Sequence, residues 1–157
     1  MGKKTGRNPT DRAKSGSKRS LLTDGAGVPL GVTVDGANTH DMRLVESTLE
    51  SIPIKRPNPT RVEQNLCGDK GYDYEAVRQT VDEWGYTAHI AHIGEDVKKR
   101  SPVRGYRARR WVVERTDSWM NRFRRLVIRW EKKVENYLAL IHLACACVAF
   151  RAAEVLG

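Results

Sequence analysis

Cysteine is scarce in this 157-residue chain, and the three present, Cys67, Cys145 and Cys147, form no CxxC pair. An odd, scattered set argues against a disulfide framework and a zinc ribbon, and fits a reducing, cytosolic setting. The first twenty residues lack the apolar core of a secretion signal. The longest apolar stretch, Tyr137–Phe150, is interrupted by His142 and is too short to span a bilayer, so it predicts a buried helix rather than a membrane anchor. There is no internal repeat, and a chain of this length fits a single domain with a real core.

Acidic residues are also missing where basic ones concentrate. The net charge is +9, which favours a polyanionic partner. Residues 1–20 hold seven basic groups against one acid, and residues 98–133 hold fourteen against Glu114, Asp117 and Glu131. Between them, residues 21–97 carry thirteen acids and six basic groups. The positive field therefore comes from the N-terminal segment and one helical region. Such a run can also be no more than a solvated face.

The pattern predicts a basic, extended segment over residues 1–18, followed by one domain over residues 19–157. Arg19–Thr23 and Val28–Val34 read as antiparallel strands joined by a turn at Asp24-Gly25 to Gly27. Asn38 or Thr39 can cap a helix to about Ser51, with Leu44, Val45, Thr48, Leu49 and Ile52 on one face. Pro53, Pro57 and Pro59 make a linker. Gln64–Gly68 reads as a strand, Tyr74–Trp84 as a helix stopped by Gly85, Tyr86–Ala91 as a strand and 94–105 as a basic loop. A long helix is expected over Tyr106–Lys132, with a break near Trp130, and a last helix over Tyr137–Val155. The order β-β-α-β-α-β-α-α predicts an α/β domain with a mixed sheet flanked by helices.

Two acids carry the candidate chemistry. Asp69 ends an apolar strand in Leu66-Cys-Gly-Asp-Lys-Gly-Tyr-Asp73. It reads either as an ordinary strand-to-loop aspartate or as a hard oxygen ligand for Mg²⁺. At 100° per residue, Val112, Trp119, Phe123, Leu126, Val127 and Trp130 form the apolar side of the long helix. Arg107, Arg110, Glu114, Asp117, Asn121 and Arg125 gather opposite. Glu114 reads either as the partner of Arg110 in an i,i+4 surface pair or as a metal ligand among arginines, whose forked head suits phosphate. His89 and His92, three apart on a strand, point to opposite faces. His142 and the pair Cys145 and Cys147 read as packing residues.

Several segments resemble a known family. Asn8-Pro-Thr-Asp-Arg12, Lys18-Arg-Ser-Leu-Leu22, Gly36-Ala-Asn-Thr-His-Asp41, Cys67-Gly-Asp-Lys-Gly-Tyr-Asp73 and Arg109-Arg-Trp-Val-Val-Glu-Arg-Thr116 are similar, in order, to the C-terminal part of an IS5-family insertion-sequence transposase, within the IS4-like DDE superfamily. The likeness runs over nearly the whole chain. It implies a ribonuclease-H-like core and DNA cleavage and strand transfer by three acids and two Mg²⁺ ions. Carried over by position, the second acid is Asp69 and the third Glu114, both catalytic and both metal ligands. The family's Tyr-Arg-Glu-Lys signature places Arg110 four before Glu114, finds Tyr106 one position off, and meets Asn121 at the lysine position with Arg122 beside it. The implied DNA contacts are Arg107, Arg109, Arg110, Arg122, Arg125, Lys14 and Lys18.

The first acid belongs to an upstream strand in an Asp-Gly dipeptide. Asp24, Asp35 and Asp41 do not occupy that place, Asp35 being the nearest substitute. The resemblance thus implies a domain without its first strand, inactive alone. Two functions stay open: a transposase fragment acting on insertion-sequence ends and target DNA, or a non-catalytic DNA-binding remnant or half of a split enzyme. An upstream reading-frame product and a second copy are candidate partners, a membrane is not, and the implied location is the bacterial cytoplasm at the nucleoid.

Overall fold

The computed structural model describes residues 3–9, 12–92 and 111–156. The chain divides into two compact units, Met1–Ile54 with Trp111–Gly157, and Lys55–Arg110.

The first unit is built on three antiparallel strands, β1 (Gly6–Arg7), β2 (Ser15–Thr23) and β3 (Pro29–Gly36), in the order β1-β2-β3. Leu21 stands opposite Val32 and Arg19 opposite Val34, with an irregularity between Leu22 and Thr23. β2 starts four residues before the expected Arg19, because Ser15–Lys18 find ladder partners in β1 and in the far end of β3. The basic N-terminal segment is thus partly a hairpin rather than an extended tail.

After β3, His40 caps a 3₁₀ turn (Asp41–Leu44) that leads into α1 (Val45–Glu50). The expected helix exists, but it begins later than Asn38 or Thr39. Leu44, Val45, Thr48 and Leu49 are its buried face. α1 presses on β3 at Gly31, where a Cβ would lie 2.7 Å from the Thr48 carbonyl oxygen and 2.8 Å from Ser51 Oγ. Only glycine leaves room for that approach.

The long helix is broken earlier than expected. α3 (Trp111–Met120) ends, residues 121–123 turn, and α4 (Arg124–Val127) follows. Arg19 reaches Asn121 Oδ1 at 2.6 Å, and Phe123 is extended, so that Phe123 and Leu126 turn into the core. The inward face of α3 is consequently Val112, Thr116 and Met120, a different stripe from the one the helical wheel picks out. Val127 and Trp130, assigned to the apolar side, are exposed.

α5 (Val134–Leu156) buries only one face. Val134, Tyr137, Ile141 and Ala144 join Val32, Val34, Met120 and Leu126 in one core cluster. The opposite face, including His142, Leu143 and Phe150, is exposed, which corrects the expectations of a buried helix and a core histidine. Val134–Ala153 is long and apolar enough to cross a membrane by length and composition alone, but here its inner face is committed to this core. Burial pushes the Cys145 thiol up to about 11, against the pull of Arg19, so it stays neutral and acts as a packing residue.

In the second unit, β4 (Asn65–Gly68) and β5 (Thr87–Ile90) pair in parallel through α2 (Glu75–Glu83), a βαβ unit. Val77 and Val81 bury the inner face of α2. Arg56 staples the proline-rich stretch: it donates to Gln64 Oε1 and, at 2.7 Å, to the Trp84 carbonyl, with its head 3.9 Å from the Tyr86 ring centre. The expected single mixed sheet is therefore replaced, among the described residues, by two small ones. Pro53, Pro57 and Pro59 lack the N–H that a ladder needs, so the stretch between β3 and β4 cannot extend either sheet.

Candidate functional site

Asp69 follows the last residue of β4, at the carboxyl end of a parallel strand. Ligand sites of open α/β sheets commonly lie at such ends. Its Oδ1 accepts a hydrogen bond from the Gly71 N–H at 2.8 Å and caps a 3₁₀ turn (Lys70–Tyr72). The residue is exposed, and its second oxygen makes no bond to any described residue. The ordinary reading and the ligand reading therefore coexist: one oxygen organises the turn and the other makes no bond to a described residue.

Glu114 lies in the first turn of α3 and is exposed. Its helix is held by the residues on the other side. Thr116, fully buried, donates to the Gly27 carbonyl at 2.7 Å and lies 3.1 Å from the Val112 carbonyl. Arg115 donates to the Ala26 carbonyl at 2.6 Å, its guanidinium 4.8 Å from the ring centres of both Trp111 and Trp119. Such stacking on aromatic faces suits a weakly hydrated guanidinium. The receiving turn is itself preset: Asp24 Oδ1 accepts from the N–H groups of Ala26 and Val28 at 2.9 and 2.8 Å. The β2–β3 turn thus fixes the rotation of α3 and, through it, the outward direction of Glu114.

This clamp makes a direct prediction. Thr116→Val keeps the shape but leaves the buried Gly27 carbonyl without its donor, at a cost of ~1–3 kcal/mol. Denaturant unfolding should show that loss with an unchanged slope. An equal midpoint for the variant and the parent would mean that the hydroxyl contributes nothing.

Glu114 belongs to the first unit and Asp69 to the second. Both are hard oxygen donors of the kind Mg²⁺ takes, so the donor chemistry fits. Among the described residues, no three His, Cys, Asp or Glu side chains gather as a metal site. The other acids considered are engaged in structure. Asp24 organises the turn, Asp35 Oδ1 accepts from the Gly36 N–H at 2.7 Å, and Asp41 pairs with Lys18 at 3.1 Å. Asp117, grouped by the wheel with Glu114, instead binds Arg19 of β2 at 3.0 Å.

Arg107, Arg109 and Arg110 lie outside the described residues, and with them the proposed Arg110–Glu114 pair and the basic loop. Arg122 and Arg125 are exposed beyond the end of α3, Arg125 lying 3.5 Å from Glu131. Lys14 is exposed in the β1–β2 hairpin. Lys18 is half-buried, donating to the Thr39 carbonyl as well as pairing with Asp41.

The residues that sequence reasoning misses are the positioning arginines. Arg115, Arg19 and Arg78 all look like surface charge in a basic chain. Arg78 donates to Asp73 Oδ1 at 2.7 Å and to the Ile90 carbonyl at 2.9 Å, and His92 Nδ1 lies 3.2 Å from the same aspartate oxygen. His89 instead meets Asn65 Oδ1 at 2.5 Å, so the two histidines serve different partners as their spacing implied. The Trp-x₃-Arg-x₃-Trp spacing of Trp111, Arg115 and Trp119 is the one available signal for the clamp, since it places both rings on the arginine's helical face.

The chain matches the family model described as "Transposase DDE domain" over residues 2–149. It is 36% identical over 150 residues to a protein of Burkholderia cepacia named as a candidate transposase for insertion sequence element IS402, covering 94% of this chain and 69% of that protein. No solved structure matches it.

Proposed function

The chain belongs to the transposase DDE-domain family, and from that premise we propose that it binds insertion-sequence DNA and supplies Asp69 and Glu114 as two of the acids that hold Mg²⁺ for strand cleavage and strand transfer. The observation that carries this reading is the position of Asp69, exposed at the carboxyl end of β4 with only Oδ1 bonded among the described residues. The membership we favour within the family is IS5, on the motifs quoted above, with a ribonuclease-H-like core.

Bound divalent metal in such enzymes activates the attacking hydroxyl and neutralises charge on the phosphate being cut. The chain's own part is to hold and to orient. The Gly71 N–H fixes the rotamer of Asp69. The clamp of Thr116 and Arg115 onto the β2–β3 turn fixes Glu114. Arg122, Arg125 and the N-terminal lysines Lys14 and Lys18 provide phosphate contacts, which we extend to Arg107, Arg109 and Arg110.

A second reading has its own observation. Asp24 and Asp41 are tied to a turn and to Lys18, Asp35 has its Oδ1 on the Gly36 N–H, and none of the three occupies the upstream place that the resemblance gives the first acid. This favours a polypeptide that cleaves only when another segment supplies that acid, or a DNA-binding remnant. A nicking assay with Mg²⁺ on end-sequence DNA tests both. The 157-residue chain is expected to nick weakly or not at all, and a peptide carrying the upstream strand of the family should restore cleavage. Strong nicking by the chain alone, abolished by Asp69→Ala, would refute the need for a further segment. Failure of the peptide to restore any cleavage would favour the remnant.

A further inference from the structure

The segment between α3 and α5 presents an unusual surface. Trp130 is 71% exposed, and Val127 and Ile128 are each 59% exposed. Large apolar groups at such exposure mark interaction sites when they cluster. The cluster is held in place. In the extended stretch after α4, neighbouring side chains alternate, so Ile128 and Trp130 face out while Arg129 between them turns in. Arg129 donates to Ser17 Oγ at 2.6 Å and to the Glu131 carbonyl at 3.0 Å, and its head lies 5.4 Å from the Tyr137 ring centre. That anchoring fixes the backbone on either side of it.

Within residues 121–133 the exposed charge has one sign. Arg122, Arg124, Lys132 and Lys133 are exposed, and the ion pairs among the described residues leave them without an acid. The single acid of residues 121–133, Glu131, is turned inward, its side chain 11% exposed. An exposed aromatic face in a segment that carries four cations without an acid partner is complementary to a nucleic-acid strand, which offers π-faces and phosphates together. A paired duplex keeps its base faces stacked inside, so an exposed indole finds a partner where a base is unpaired.

We propose that residues 121–133 form a contact for DNA bearing an unpaired base, with Trp130 stacked on that base and Arg122, Arg124, Lys132 and Lys133 on the flanking phosphates. The proposal rests on the DNA-binding function above and adds the strand state that this surface selects.

The test is binding of fluorescent oligonucleotides to the full chain, using a paired duplex, the same duplex with one bulged thymine, and a single strand. Trp130→Ala is expected to weaken binding to the bulged and single-stranded DNA about tenfold or more. Its slope of log affinity against log salt should not change, since no phosphate contact is lost. Trp130→Phe should keep most of the affinity. Arg124→Ala should flatten the slope on all three DNAs. Trp130 is exposed, so the variants should fold, and circular dichroism checks this. Equal affinity of Trp130→Ala and the parent for bulged DNA overturns the stacking role alone. No salt-sensitive binding to any DNA overturns the function proposed above as well. Sedimentation equilibrium supplies the other occupant: a dimer that Trp130→Ala dissociates, with DNA affinity unchanged, assigns the surface to a second copy and overturns the proposal.

Discussion

Glu114→Gln and Asp69→Asn are each expected to lower Mg²⁺-dependent DNA cleavage by about 100-fold or more, in whichever assembly is cleavage-competent, while leaving thermal stability almost unchanged. Each metal-held interaction contributes several kcal/mol to the transition state, and about 1.4 kcal/mol is a factor of ten. The folded state loses little because both side chains are exposed. Asn at position 69 still accepts the Gly71 N–H, and Asn caps as well as Asp does. DNA affinity should also persist, because the phosphate contacts lie on other residues. Cleavage rates and melting curves measured on the same samples decide the matter. A variant with parental cleavage removes that residue from the site, and a variant that melts many degrees lower has acted through folding.

Gly27→Val should have the largest effect on stability. Gly27 has φ +90°, a conformation disfavoured for every residue with a Cβ and most of all for a β-branched one. A Cβ there would also stand 2.9 Å from both Arg115 Nη2 and Thr116 Oγ1, the two groups that dock α3 on the turn. Backbone strain of about 1–2 kcal/mol and overpacking of about 1–3 kcal/mol act at the same spot. The expected loss is ~3 kcal/mol or more, which in a chain of this size lowers the melting temperature by roughly 6–12 °C. Gly25→Val is the control, since a Cβ there meets nothing within 4 Å. Equal melting of the two variants would mean that the turn does not hold the helix.

Some elements were legible from local pattern. The Asp24–Gly27 turn is written in the residues themselves, because Asp accepts from nearby backbone N–H groups and Gly takes positive φ. The apolar face of α1 follows from helical period, and the strands β4 and β5 from short apolar runs separated by a helix. Asp69 stood out for the same reason, as a carboxylate closing one of those runs. The break after Met120 was not legible, since Asn121 and Arg122 are ordinary helix residues. At that end the Arg122 and Phe123 N–H groups turn to the carbonyls three residues back, and Arg19, 102 positions before Asn121, donates to the Asn121 side chain. The half-exposure of α5 was equally hidden, because an all-apolar helix does not reveal how many of its faces find a partner.

The amino-acid sequence by itself singled out Asp69 and Glu114 as the candidate acids and marked the two basic segments, and its motif order pointed to the family. Those are properties of residue type and spacing, which the chain carries before it folds. Only the tertiary structure decided that Arg115, Arg19 and Arg129 are internal fasteners while Arg122 and Arg124 stay outside. It also decided that Asp117 pairs with Arg19 of β2, and that Trp130 is exposed. Those assignments depend on which distant carbonyl, ring or carboxylate lies within hydrogen-bond reach, and long-range contacts of that kind leave no periodic trace in the sequence.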